Sequence, residues 1–116
     1  MRVARLHGIG DLRLATEPDP SPQPGHTLVQ VQAVGLCGSD LHWFHGGGIG
    51  DAALDHPLVL GHEFAGLALD GPHAGSLVAV DPAIPCTTCR MCLAGHRNLC
   101  PTVRFAGHGT NDGALR

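Results

Sequence analysis

Four of the five cysteines fall in one short stretch, Cys86, Cys89, Cys92 and Cys100, spaced C-x2-C-x2-C-x7-C. No other feature of the chain restricts its folding so tightly. Four thiolates this close in sequence can surround one tetrahedral ion, the ligand set that structural zinc prefers. The same soft, all-sulfur set suits an iron–sulfur cluster, and a C-x-x-C pair can also work as a redox dithiol. The stretch from Pro85 to Pro101 has almost no apolar core of its own, so sulfur chemistry must hold it together. A four-sulfur zinc site leaves no coordination position open, and any chemistry on a substrate has to lie elsewhere. Loss of any one of these cysteines is expected to loosen the lobe, because metal binding and local folding are linked.

Around this lobe the chain reads as short strands. Glycine (17) and proline (9) make up 26 of 116 residues, which disfavours long helices. Arg2 to Leu6 and Leu12 to Ala15 form two strand candidates, with Gly8-Ile9-Gly10-Asp11 as the turn of a hairpin. Glu17 to Gly25 carries four prolines at alternate positions and is an extended connection. His26 to Val34 has the clearest two-residue alternation, and Gly35 ends it. Ser39 to Phe44 reads as a short helix capped by Ser39, followed by a flexible loop from His45 to Gly50. Leu58 to Leu60, Phe64 to Leu69 and Leu77 to Val80 complete the strand set. With one or two short helices, these elements predict a mainly β fold, a small irregular barrel or sandwich.

Charge removes several partners. The net charge is −3, with seven arginines and no lysine. No basic cluster is available for phosphates, so nucleic acid and anionic membranes are not expected partners. No apolar run approaches the roughly 18 residues of a membrane span. Met1 to Arg5 leads into no apolar stretch or cleavage signal, so the expected location is the cytoplasm, where clustered cysteines serve metals or catalysis rather than disulfides.

A second constellation surrounds the remaining cysteine. Cys37-Gly38-Ser39-Asp40-Leu41-His42 and, further on, Gly61-His62-Glu63 bring Cys, His and carboxylate ligands that can hold zinc with one position open. Taken with Val34-Gly35-Leu36 before Cys37, Pro57-Leu58-Val59-Leu60 before Gly61, and the four-cysteine lobe, these residues resemble the zinc-containing medium-chain alcohol dehydrogenases. Their look is closest to the sorbitol, xylitol and L-idonate dehydrogenase branch.

The resemblance implies a GroES-like β-barrel over residues 1–116, the family's catalytic domain, with the lobe at 85–101 as its structural zinc site. It implies Cys37, His62 and Glu63 as catalytic zinc ligands, and Cys86, Cys89, Cys92 and Cys100 as structural ones. Asp40 is then the carboxylate that orients the zinc-bound His62. Ser39 is the hydroxyl that takes the proton of the alcohol, His42 passes it to solvent, and Trp43 lines the substrate. The implied reaction oxidises a secondary alcohol or polyol to a ketone, with hydride passing to NAD or NADP.

Two departures qualify it. No Gly-x-Gly-x-x-Gly follows a strand, so no dinucleotide-binding unit is legible in these residues. Gly109 to Arg116 resembles the start of the strand that leads to the family's cofactor domain. The chain is therefore expected to be inactive alone, with open strand edges that favour homo-oligomers. The hairpin between Gly66 and Val80 is also shorter than is usual in the family. The alternative from another class is a non-catalytic zinc-binding interaction module derived from the same domain.

Overall fold

The structure, a computed structural model, describes residues 1–22 and 24–116. Gln23, inside the proline-rich connection, lies outside the described residues. Strands β1 (Arg2–Gly8) and β2 (Asp11–Thr16) form the hairpin that the turn residues predict, with Leu6 opposite Leu12 and Gly10 at φ +68°. Strand β3 (Val29–Gly35) starts later than the alternation predicts. The helix α1 (Gly38–Gly46) follows it.

The loop predicted after the helix is partly a hairpin instead. Strands β4 (Gly48–Ile49) and β5 (Ala52–Ala53) pair across a tight turn, and Leu54 N–H bonds back to Gly47 O at 2.7 Å. Two-residue strands give too little periodicity to be read from sequence.

Strand β6 (Leu58–Val59) pairs with β1, giving the order β2-β1-β6. Strand β7 (Glu63–Ala68) lies between β3 and β8 (Leu77–Val80), antiparallel to both. The short β7–β8 hairpin pairs Phe64 with Val80 through to Leu67 with Leu77. Beyond it, β9 (Ala83–Ile84) and β10 (Arg104–Phe105) pair at the two ends of the cysteine lobe, which contains the short helix α2 (Arg90–Leu93).

The class is mainly β with two short helices, as the sequence predicts. The strands form two three-stranded and two two-stranded sheets, and these do not close into one continuous barrel among the described residues. β6 is the physical reason on one side. It offers only two residues, both paired with β1, and cannot extend the ladder to the second sheet. No helix among the described residues is long and apolar enough to cross a membrane.

The core is small and sits where α1 meets the first sheet. Leu6, Leu58, Leu60 and Trp43 form its buried cluster, with Phe44, Ile49, Leu54 and Leu115 packed against it. Each large side chain so buried contributes about 1.5–3 kcal/mol. Leu115 arrives because residues 113–115 run against residues 59–61. Gly113 N–H bonds to Val59 O at 2.7 Å, and Leu115 N–H to Leu60 O at 3.0 Å. That approach needs a glycine, since a Cβ at Gly113 would stand 2.3 Å from Gly61 O. Arg5 locks the same region. Its guanidinium forks onto Asp112 (2.9 and 3.0 Å) and onto Glu17 (both contacts 2.9 Å). Asp112 also accepts Val59 N–H at 3.0 Å.

Candidate metal centres

Cys37 ends the turn after β3 and caps α1. The sequence places the cap at Ser39, and the structure moves it two residues back. Asp40, at the third helical position, explains the shift. Its Oδ2 accepts the Cys37 N–H at 2.9 Å, so the carboxylate satisfies the start of the helix. Ser39 is thereby released from capping and can face outward to a neighbour. Its Oγ lies 3.4 Å from His62 Nε2.

His62 is carried by the corner between β6 and β7. Gly61 adopts φ +91°, where an L side chain is disfavoured, and a Cβ there would meet Val34 Cγ1 at 2.8 Å. Gly61 N–H donates to Asp40 Oδ1 at 3.1 Å. The same Oδ1 stands 3.6 Å from His62 Nδ1. One buried carboxylate, 3% exposed, thus touches the backbone of both candidate ligand segments and faces the imidazole. With Nδ1 towards Asp40, Nε2 is the nitrogen turned to the site.

Cys37, His62 and Glu63 each bring one ligand atom, all within 4.8 Å of one another. Cys37 and His62 are half-buried and Glu63 is exposed. Three ligands of Cys, His and carboxylate type leave one tetrahedral position open, the pattern of catalytic rather than structural zinc. His42 is exposed and one helical turn beyond Ser39 on α1.

Trp43 is placed otherwise than the sequence reading has it. It is 2% exposed, inside the core cluster, and His108 meets its ring edge-on at 5.3 Å and 71°. It therefore offers no open face to a substrate. The helix periodicity explains this, since the face of α1 that carries Asp40 and Trp43 is the buried one. His108 has no local signal in the sequence. Only the fold of the 107–113 turn against Gly61 brings it there.

The second centre is local. Cys86, Cys89, Cys92 and Cys100 place four sulfurs within 4.8 Å of one another, and Cys86 and Cys92 are 4.0 Å apart. A zinc with four sulfurs at about 2.3 Å separates them by roughly 3.8 Å, so the donor set fits that ion. Backbone N–H groups converge on the sulfurs. Cys89 N–H reaches Cys86 Sγ at 3.3 Å, Cys86 N–H reaches Cys100 Sγ at 3.4 Å, and Cys92 N–H reaches Cys89 Sγ at 3.5 Å. The Thr88 and Cys89 N–H groups, with the Thr88 hydroxyl, draw the Cys86 thiol down to about 5. The Cys86 N–H and the Thr102 hydroxyl lower Cys100 as well. Burial pushes Cys92 up to about 12, and hydrogen bonds with neighbouring thiols add to that. Hydrogen bonds thus draw Cys86 and Cys100 down while burial pushes Cys92 up within the same lobe.

Comparison with known proteins gives one answer. Residues 23–116 match the alcohol dehydrogenase GroES-like domain. The chain is 38% identical to the sorbitol dehydrogenase of Bacillus subtilis, over 99% of its own length and 34% of that protein's. It spans about a third of the length of the curated relatives it matches. Among solved structures, the L-idonate 5-dehydrogenase of Escherichia coli superposes with a TM-score of 0.86 at 32% identity, covering 98% of this chain and 35% of that one. An alcohol dehydrogenase of Escherichia coli CFT073, complexed with NADH, gives 0.83 at 30% identity, over 99% of this chain and 34% of that one.

Proposed function

The chain belongs to the alcohol dehydrogenase GroES-like domain family, and from that premise we propose that residues 1–116 are the zinc-binding catalytic-domain portion of an NAD(P)-dependent alcohol or polyol dehydrogenase. The observation that carries this is the convergence of Cys37, His62 and Glu63 with Ser39 at the imidazole and Asp40 behind it. The names of the relatives, sorbitol and L-idonate dehydrogenases, favour a polyol or sugar acid as substrate.

Cys37, His62 and Glu63 would hold a catalytic zinc, and Cys86, Cys89, Cys92 and Cys100 a structural one. When bound in the first site, zinc supplies the Lewis acidity that lowers the pKa of an alcohol. Asp40 fixes the imidazole so that Nε2 faces the site. Ser39 Oγ, free of the helix cap, takes the hydroxyl proton of the alcohol. His42 is exposed one helical turn on, where an imidazole can pass that proton to water. NAD or NADP, when bound, would supply the hydride acceptor for the substrate carbon.

Every strand pair among the described residues is antiparallel, so they contain no parallel β-α-β seat for a dinucleotide. The 116-residue chain is accordingly read as unable to oxidise alcohol by itself. A test that needs no turnover is cobalt substitution. Addition of sorbitol or xylitol is expected to change the visible spectrum of the cobalt-loaded chain, and Cys37→Ser is expected to abolish the change. A spectrum indifferent to both would overturn the reading.

A further inference from the structure

Thr87 is the one residue other than glycine with a positive φ among the described residues, at +62°. Left-handed backbone is natural for glycine and tolerable for Asn, but for a β-branched residue it is a steric outlier. Burial does not compensate, because the side chain is exposed. Its hydroxyl donates to the adjacent Cys86 carbonyl at 2.7 Å, a contact that does not require the left-handed turn.

What does require it is the direction of the next residues. The turn at Thr87 brings the chain back on itself, so that the Cys89 N–H and the Thr88 hydroxyl meet Cys86 Sγ at 3.3 and 3.7 Å. Cys89 then starts α2, with its own Sγ accepting Cys92 N–H. The strained residue is therefore the hinge on which three of the four sulfurs are gathered. Such strain persists only where the surroundings over-determine it.

We infer that Thr87 is a positioning residue that sets how tightly the four-cysteine lobe holds its metal. Closing the lobe drives Thr87 into the left-handed region, and opening the lobe releases it. Part of the free energy of metal binding is spent on that turn, so the ion is held less firmly than the sulfurs alone would allow. This rests on the metal reading of the lobe.

The test uses the full chain with cobalt(II) as the probe, read through the tetrathiolate absorption during competition with a chelator. Thr87→Gly is expected to bind cobalt about tenfold tighter and to release it more slowly, the size set by one residue's backbone strain. Thr87→Asn should fall between glycine and the native residue. Thr87→Val keeps the strain and removes the hydroxyl, and should bind no tighter than Thr87. Equal or weaker binding by Thr87→Gly, with the tetrathiolate spectrum intact in the native chain, would overturn the inference alone. A native chain that gives no tetrathiolate spectrum would overturn both the inference and the metal reading.

Discussion

Asp40 is the residue on which the first centre turns. It holds Cys37 N–H, Gly61 N–H and the His62 ring from a position 3% exposed. An amide there keeps the shape but turns a donor towards one of the two backbone N–H groups. Asp40→Asn is therefore expected to cost about 1–3 kcal/mol of stability. It should also weaken metal binding at Cys37 and His62 by about 10–100-fold, measured by zinc competition. Unchanged affinity would mean that the carboxylate does not orient the imidazole. Trp43 makes the contrasting case. As a core side chain it is expected to cost about 3–5 kcal/mol when replaced by alanine, visible in thermal unfolding. A loss well below 1 kcal/mol would return it to the substrate-lining role that the resemblance implied. The residues that the structure gathers into the two candidate metal groups lie in short motifs, which is why they could be singled out in the sequence. The burial of Trp43 and the backbone of Thr87 could not, since both depend on what the rest of the fold presses against them.

At the scale of elements, the β1–β2 hairpin and β8 were readable because each is decided by its own residues and turn. The clamp that joins the hairpin to the C-terminal segment was not. Arg5 and Asp112 are 107 residues apart, and nothing near either one announces the other. The clamp has a pH signature. Hydrogen bonds from Arg5 hold Glu17 below the ordinary carboxylate range. For Asp112, burial pushes upward, but Arg5 and Val59 N–H outweigh it, and its pKa is lowered too. A folded-state pKa below the unfolded one means that stability is fully present above the unfolded value, near 4. It is lost as pH falls through the lowered folded value. The melting temperature is thus expected to fall below about pH 4, and Arg5→Met should flatten that fall while lowering stability at pH 7. An identical acid profile in both proteins would contradict the clamp. Asp112→Asn is expected to cost about 1.5–3 kcal/mol, by loss of the charged partner.

For the whole molecule, two differently built parts share one chain. The first sheet, α1 and the β4–β5 hairpin fold around the small core of Leu6, Trp43, Leu58 and Leu60. The lobe between β9 and β10 has exposed Leu93 and Leu99 and depends on its sulfurs. Chelation is therefore expected to raise amide exchange within residues 85–101 by far more than in β1 and β6. Uniform exchange changes across the chain would show that the lobe is not an independent unit. The mainly β class and the four-cysteine cluster could be read in advance because hydrophobic alternation and cysteine spacing are local, whereas the grouping of Cys37, His62 and Glu63 came through the family resemblance. The open arrangement of four sheets depends on long-range pairing that alternation does not specify.

The central claim is that one chain carries a closed four-sulfur centre and a separate open one. Metal stoichiometry by native mass spectrometry of the zinc-reconstituted chain tests it most directly. Two zinc ions per chain are predicted, with one remaining in Cys37→Ser and one in Cys100→Ser. A native chain with a single zinc, unaffected by Cys37→Ser and lost in Cys100→Ser, would contradict it.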